Sequence, residues 1–195
     1  MMAQEDYLIW DAADLPNVCS LAKLAGLEKT YRLVDGVPLA QGFPEGVSFR
    51  MDPDNPHDTL LADNLVNPYM VIVASAATVD VLRSREVPLV EYLPVSIVDH
   101  KGKAVPEPYF IVHPIDHVAC LDVAASGGEW DMIDPEVLDS VESVVLDEQR
   151  IEAERELFRP KPLVDVVVVR RSLAEALDAA GLTGLQWIEL ADYPG

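Results

Sequence analysis

Two kinds of hydrophobic pattern alternate along the second half of this 195-residue chain. Short runs rich in β-branched residues predict buried strands at 71–75, 89–99, 109–112, 163–169 and 185–190. Two further segments have apolar residues at helical spacing and begin next to a serine, so Ser75 and Ser172 are predicted N-caps. The first helix is expected to end near Arg85. The second is expected to end at Gly181, because glycine accepts the left-handed conformation that closes a helix.

The first 68 residues have a weaker pattern. Residues 7–10 and 31–34 are predicted to be short strands, and 15–27 a helix, because their apolar residues recur at helical spacing. Residues 35–68 are rich in Pro, Gly, Asp and Asn, which predicts a loop. The expected organisation is a loop-rich N-terminal part, residues 1–68, packed on an α+β domain, residues 69–195, in one continuous globular unit.

The order of the predicted elements indicates the fold class. The plan strand, serine, helix, strand occurs twice, at 71–98 and 166–190, as a weak internal repeat. Between the two copies, residues 89–99 and 109–112 flank the turn Lys101-Gly102-Lys103 and predict a hairpin. This order predicts an α+β fold with a mixed, mainly antiparallel sheet and a few short helices.

The net charge restricts the function. The chain has 34 acidic and 14 basic residues, a formal charge of −20. Such a charge argues against binding nucleic acid or anionic lipid, because both need cations that replace counterions. No apolar run approaches the ~20 residues of a membrane helix. The acidic N-terminal residues do not resemble a secretory signal, so a cytoplasmic location is expected. In that reducing compartment Cys19 and Cys120 are expected to be core thiols.

The acidic residues are concentrated between positions 116 and 156, where thirteen acids face only Arg150 and Arg155. Two interpretations remain open, a solvated surface that maintains solubility and a surface that attracts a cationic partner. Trp130 lies among these acids, which is typical of an interface residue with a polar rim. The alternative is a tryptophan folded back over a sheet edge. The candidate contact residues are Glu129, Trp130, Asp131, Asp134, Glu136 and Asp139.

Candidate catalytic and metal-binding motifs are weak. His113 and His117 have the spacing of a zinc helix, but Pro114 occupies the position of the general-base glutamate. Residues 52–63 resemble a calcium loop only faintly, and turn formation by Asp and Asn explains them. Ser75 and Ser172 have no histidine at a recognised spacing. The sequence therefore predicts no cofactor, no metal site and no catalytic group.

Four segments resemble a known family. They are residues 71–75 with the helix that follows, 89–99 with Leu93-Pro94-Val95, 108–112 leading to Asp122, and Phe158-Arg159 with the closing helix and Gly181–Leu185. In this order they are similar to the immunity proteins of bacterial polymorphic toxin systems. That family is typified by a myxobacterial member and was formerly a domain of unknown function.

The resemblance implies a non-catalytic protein that binds and neutralises a cognate bacterial toxin. A toxin with a basic active-site surface would complement the acidic segment 116–156. The alternative function is a small carboxylate-based hydrolase or transferase. A deep pocket with convergent carboxylates, or with His113 and His117, would favour that alternative, whereas a flat or convex acidic surface would favour the binding protein.

Overall fold

A computed structural model describes residues 6–133, 136 and 138–193. Within this part of the chain there are twelve strands and two α-helices, which confirms the α+β class. The strands are β1 (Tyr7–Ala12), β2 (Leu21–Ala25), β3 (Ser48–Met51), β4 (Asn64–Leu65), β5 (Ile72–Ser75), β6 (Val90–Val98), β7 (Tyr109–Pro114), β8 (Glu129–Trp130), β9 (Leu138–Ser140), β10 (Leu157–Phe158), β11 (Val168–Arg170) and β12 (Leu185–Glu189). The helices are α1 (Ala76–Ser84) and α2 (Arg171–Ala179).

The strands form two sheets and one small ribbon. The four-stranded sheet has the order β10-β11-β1-β12, and the six-stranded sheet has the order β2-β3-β6-β7-β5-β4. Strands β8 and β9 form a separate two-stranded ribbon. All of these pairs are antiparallel except β3 with β6, as expected for a mixed, mainly antiparallel arrangement.

The internal repeat corresponds to a repeated topology. In β5–α1–β6 the two strands flank β7, and in β11–α2–β12 they flank β1. Each unit is thus a split β-α-β motif with an antiparallel strand inserted in its centre. Leu82 of α1 and Leu173 and Leu177 of α2 are buried in one shared cluster, together with Leu8 and residues of β5. The two units therefore share one hydrophobic core.

Several local predictions are confirmed. The Ser75 hydroxyl accepts a hydrogen bond from the Thr78 N–H at 3.3 Å and caps α1. Gly181 follows α2 with a φ of +72°, which a residue with a Cβ rarely adopts. Strands β6 and β7 pair as the predicted hairpin. Cys19 and Cys120 are free and buried, and burial raises their thiol pKa values to about 11 and about 12.

Two predictions near the C-terminus are wrong. Helix α2 begins at Arg171 and its cap residue is Arg170, so the exposed Ser172 does not cap it. The backbone N–H of Arg170 still bonds to Glu156 O, which carries the chain from strand directly into helix. The predicted strand at 163–169 is regular only from Val168, because the Val164 carbonyl accepts a hydrogen bond from a side chain instead of a neighbouring strand.

The N-terminal predictions need more correction. Residues 21–25 form strand β2 instead of a helix, and a bulge between Leu21 and Lys23 puts Leu21 and Leu24 in the same core. Apolar residues three apart in a bulged strand imitate helical spacing. Residues 30–33 form a 3₁₀ helix instead of a strand, and the predicted loop 35–68 contains β3 and β4.

The first 68 residues contribute central strands to both sheets. Strand β1 lies between β11 and β12, and β3 lies between β2 and β6 with the Phe49 side chain fully buried. No helix in the described part of the chain has the length and apolar character needed to cross a bilayer.

Candidate protein interface

The ribbon of β8 and β9 carries most of the predicted contact residues. Glu129 pairs with Ser140 and Trp130 with Leu138, with an irregularity between the two pairs. Leu138 is buried with Val141 and Val144 in the core beside the four-stranded sheet. At the base of the ribbon, Gly127 lies close to the Glu142 side chain with a φ of +63°. The ribbon is thus fixed at its base, while the connection between its strands faces solvent.

Three large apolar side chains are exposed on this connection, and we call them the apolar tip: Trp130, Met132 and Ile133. Trp130 is 49% exposed, and Met132 and Ile133 are 101% and 94% exposed. Consecutive exposed apolar side chains of this size mark a surface that binds a partner. The prediction named Trp130 alone. Its partner residues could have been found from Met132-Ile133, an apolar pair between two aspartates.

Acidic residues surround the apolar tip, and those in the described part of the chain form the acidic rim: Glu129, Asp131, Glu136 and Asp139. Glu129, Glu136 and Asp139 are exposed, and the Asp131 carboxylate accepts a hydrogen bond from Ile133 N at 2.7 Å, which stabilises the turn at the tip. Asp134, also predicted as a contact residue, lies outside the described residues.

The two arginines of segment 116–156 bind carboxylates away from the rim. Arg155 is buried and contacts Asp116 at 3.0 Å and Glu152 at 3.2 Å. Arg150 contacts Asp147 at 2.9 Å. The cations of the segment are therefore committed to these pairs, and the ribbon retains its negative potential.

The histidine pair has a structural position. His113 is buried on β7 and its Nε2 lies 2.9 Å from Val37 O, while the His117 ring packs directly on Gly36. Glu91 of β6 accepts hydrogen bonds from Leu39 N at 2.6 Å and Ala40 N at 2.9 Å. Together these three side chains hold residues 36–40 against the β6–β7 hairpin.

The described residues bring no three His, Cys, Asp or Glu side chains within reach of one metal ion. In the segment that resembles a calcium loop, the Asp52 carboxylate accepts from Asp54 N at 3.0 Å and Asn55 Nδ2 at 2.9 Å. These bonds are the turn formation expected from Asp and Asn.

The buried histidines predict an acid-sensitive stability. Burial lowers the pKa of both His113 and His117; Arg159 lowers both further, Lys161 lowers that of His117, and Glu91 and Asp35 oppose these effects. The unfolded chain therefore binds more protons than the folded one below pH ~6.5, so the free energy of unfolding falls as the pH falls. Each histidine contributes at most about 1.4 kcal/mol per pH unit.

Urea unfolding between pH 7.5 and pH 5.5 measures this effect. The double variant His113→Gln/His117→Gln is expected to have a flatter pH profile than the parent protein. His57→Gln, at an exposed histidine, is the matched control and should leave the slope unchanged. Equal slopes for the double variant and the parent would show that these two histidines do not cause the acid sensitivity.

The fold and the exposed tip define a protein that presents an interaction surface, and the comparison with known families agrees. The model of the Imm11 immunity protein family matches residues 8–192, nearly the whole chain. The chain therefore belongs to the Imm11 family of immunity proteins. This confirms the resemblance found in the sequence, and immunity proteins of this kind are generally not enzymes. No curated protein is significantly similar to the chain.

Proposed function

We propose that this protein is the immunity protein of a polymorphic toxin system and neutralises one cognate toxin by binding it through the ribbon of β8 and β9. Membership of the Imm11 family supports the immunity function. The observation that carries the binding site is the apolar tip, whose Met132 and Ile133 side chains are almost fully exposed within the acidic rim. A central apolar contact with a polar rim is the usual composition of a protein interface.

The charge of the rim indicates the chemistry of the partner surface. A toxin that cleaves or modifies nucleic acid needs a cationic cleft to hold phosphates. An acidic ribbon complements such a cleft, and its apolar tip can be buried where substrate would otherwise enter. Neutralisation then needs no chemistry by the immunity protein, because occupation of the cleft excludes the substrate.

The acidic residues are expected to control the association rate. Reversal of Asp131, Asp134 and Asp139 to lysine should slow association with the toxin about tenfold at 50 mM salt, because long-range attraction steers the encounter. The effect should shrink at 500 mM salt, where charges are screened within a few ångströms. Stopped-flow or surface-based kinetics measure both rates.

A matched control separates local attraction from net charge. The variant Glu45→Lys/Asp80→Lys/Glu107→Lys changes the net charge equally at exposed positions outside segment 116–156. It should change the association rate by no more than about twofold. Equal slowing by the two triple variants would refute a specific role for the acidic rim.

The apolar tip is expected to control dissociation. In Trp130→Ala/Met132→Ser/Ile133→Ser the complex should dissociate at least thirtyfold faster, because buried aromatic and aliphatic contacts at the centre of an interface provide most of its energy. The control Tyr31→Ala/Leu60→Ser alters two side chains that are 58% and 57% exposed elsewhere. A tip variant that dissociates no faster than this control would exclude the ribbon as the binding site.

Co-expression with the product of the adjacent gene tests the function itself. Growth rescue together with a one-to-one complex is the expected result. Rescue lost in the tip variant and retained in the Tyr31/Leu60 control would tie the function to the ribbon. Neither rescue nor a complex with the parent protein would contradict the assignment of this toxin as the partner.

A further inference from the structure

A groove of about 200 Å³ lies where the two sheets meet. Strand β11 pairs with β1 only from Tyr7 to Ile9, and the groove follows the remainder of β1 from Ile9 to Ala12. Its other walls are Asn64 of β4, the segments 66–72 and 165–167, and Tyr193. The groove shares no residue with the ribbon of β8 and β9.

Two residues of the groove carry buried polar atoms without a hydrogen-bond partner in the described part of the chain: Trp10 Nε1 and Asn64 Oδ1. The two residues are only 4% and 2% exposed. Leaving such an atom unpaired costs about 1–3 kcal/mol. The neighbouring groups are satisfied, since Asn64 Nδ2 donates to Asp11 O at 3.1 Å and Trp187 Nε1 donates to Asp178 Oδ1 at 2.9 Å.

The two unpaired atoms have opposite polarity. The indole N–H is only a donor, and the amide oxygen is only an acceptor. An amide group offers one acceptor and one donor, so a single peptide unit satisfies both. The exposed carboxylates Asp11 and Asp165 also line the groove, which favours a cation next to that amide.

We propose that the groove binds a short cationic peptide segment, with one amide of the segment between Trp10 and Asn64 and a lysine or arginine beside Asp11 and Asp165. The inference deepens the proposed function, on which it rests for the source of the segment, a loop or terminus of the cationic partner. The toxin would then contact this protein at two separate places, the ribbon and the groove.

The indole N–H resonances of the isolated full-length protein provide the test. The chain has three tryptophans, so Trp10 gives one of three signals and is assigned with Trp10→Phe. Titration with acetyl-glycyl-lysine amide is expected to shift the Trp10 signal saturably and to leave the Trp187 signal, already bonded to Asp178, in place. Acetyl-glycyl-glutamate amide should need at least tenfold higher concentration.

A paired variant keeps the fold and changes only the mouth of the groove. Asp11→Asn/Asp165→Asn is expected to weaken binding of the lysine peptide about tenfold, while Asp54→Asn/Asp80→Asn, at two other exposed aspartates, should leave it unchanged. A Trp10 signal that no peptide shifts would overturn the proposal and indicate a groove that holds only water. Equal binding of both peptides would overturn its cationic specificity. Because no toxin is present, either failure leaves the ribbon experiments independent.

Discussion

Replacing Arg159 with alanine is expected to lower the free energy of unfolding by about 4 kcal/mol, the largest effect of any single substitution considered. The sequence suggested a partly paired arginine among acids, and that interpretation is wrong. Arg159 is 1% exposed, and its guanidinium donates to two carbonyls, Val164 O at 2.6 Å and Met70 O at 2.8 Å. Burial lowers its pKa to about 10, so it remains charged at neutral pH.

The position of these carbonyls explains the size of the effect. Met70 precedes β5 of the six-stranded sheet, and Val164 precedes β11 of the four-stranded sheet. The guanidinium therefore connects the two sheets through charge-assisted hydrogen bonds, each worth about 1.5–3 kcal/mol. Alanine would remove both bonds and leave a cavity among packed side chains.

Chemical denaturation of two further variants separates the contributions. Arg159→Met retains most of the volume and is expected to cost about 2 kcal/mol, mainly from lost hydrogen bonds. Arg150→Met is the control, because that side chain is 65% exposed and its ion pair with Asp147 should contribute less than about 1 kcal/mol. If Arg159→Met proves as stable as the parent, the cost of burying the charge cancels the hydrogen bonds.

Replacing Asp63 with alanine is expected to cost about 3 kcal/mol. The Asp63 carboxylate accepts hydrogen bonds from Ser75 Oγ at 2.6 Å, Thr183 N at 2.8 Å and Thr183 Oγ1 at 3.0 Å. Ser75 is the cap of α1, and Thr183 lies between α2 and β12. One carboxylate thus holds together the two β-α-β units, and its loss leaves donors of both units without their partner.

The Asp63 effect is measured by urea unfolding alongside two related variants. Asp63→Asn retains one acceptor but presents an N–H₂ group to a donor, so it should lose about half as much stability as alanine. Asp52→Ala is the local comparison, because that carboxylate mainly bonds to Asp54 and Asn55 of its own turn. Equal losses for Asp63→Ala and Asp52→Ala would mean that the contact between the units contributes no more than a turn.

The predicted interface shows how far local composition reaches. Trp130 and its acidic neighbours were identified because a large aromatic ring among charges cannot easily lie in a core. The same argument did not identify Met132 and Ile133, since a short apolar pair has the composition of either a core strand or an exposed turn. Their exposure depends on Leu138, which is buried beside Val141 and Val144 and leaves the connection outside the core.

The groove could not have been anticipated from the sequence. Trp10 and Asn64 read as an ordinary strand tryptophan and a loop asparagine. Their unpaired polar atoms arise because β1 outruns its partner β11 and because the Asn64 amide turns toward Asp11 O. Both facts involve contacts across more than fifty residues, which no window of the sequence contains.

The sequence by itself determined the elements whose causes lie within about ten residues. These are the strand, serine cap and helix at 72–84, the hairpin of β6 and β7, and the end of α2 before Gly181. Capping bonds and turn conformations are local, so the residues that form them are adjacent in the chain.

The tertiary structure decided the rest. Strand β1 is placed by β11 and β12, more than 150 residues away, and the bulge in β2 is recognisable only against its partner β3. Arg159 acquires its partners only when the two sheets meet. The physical reason is that strand pairing and the burial of a charge depend on which distant groups come into contact.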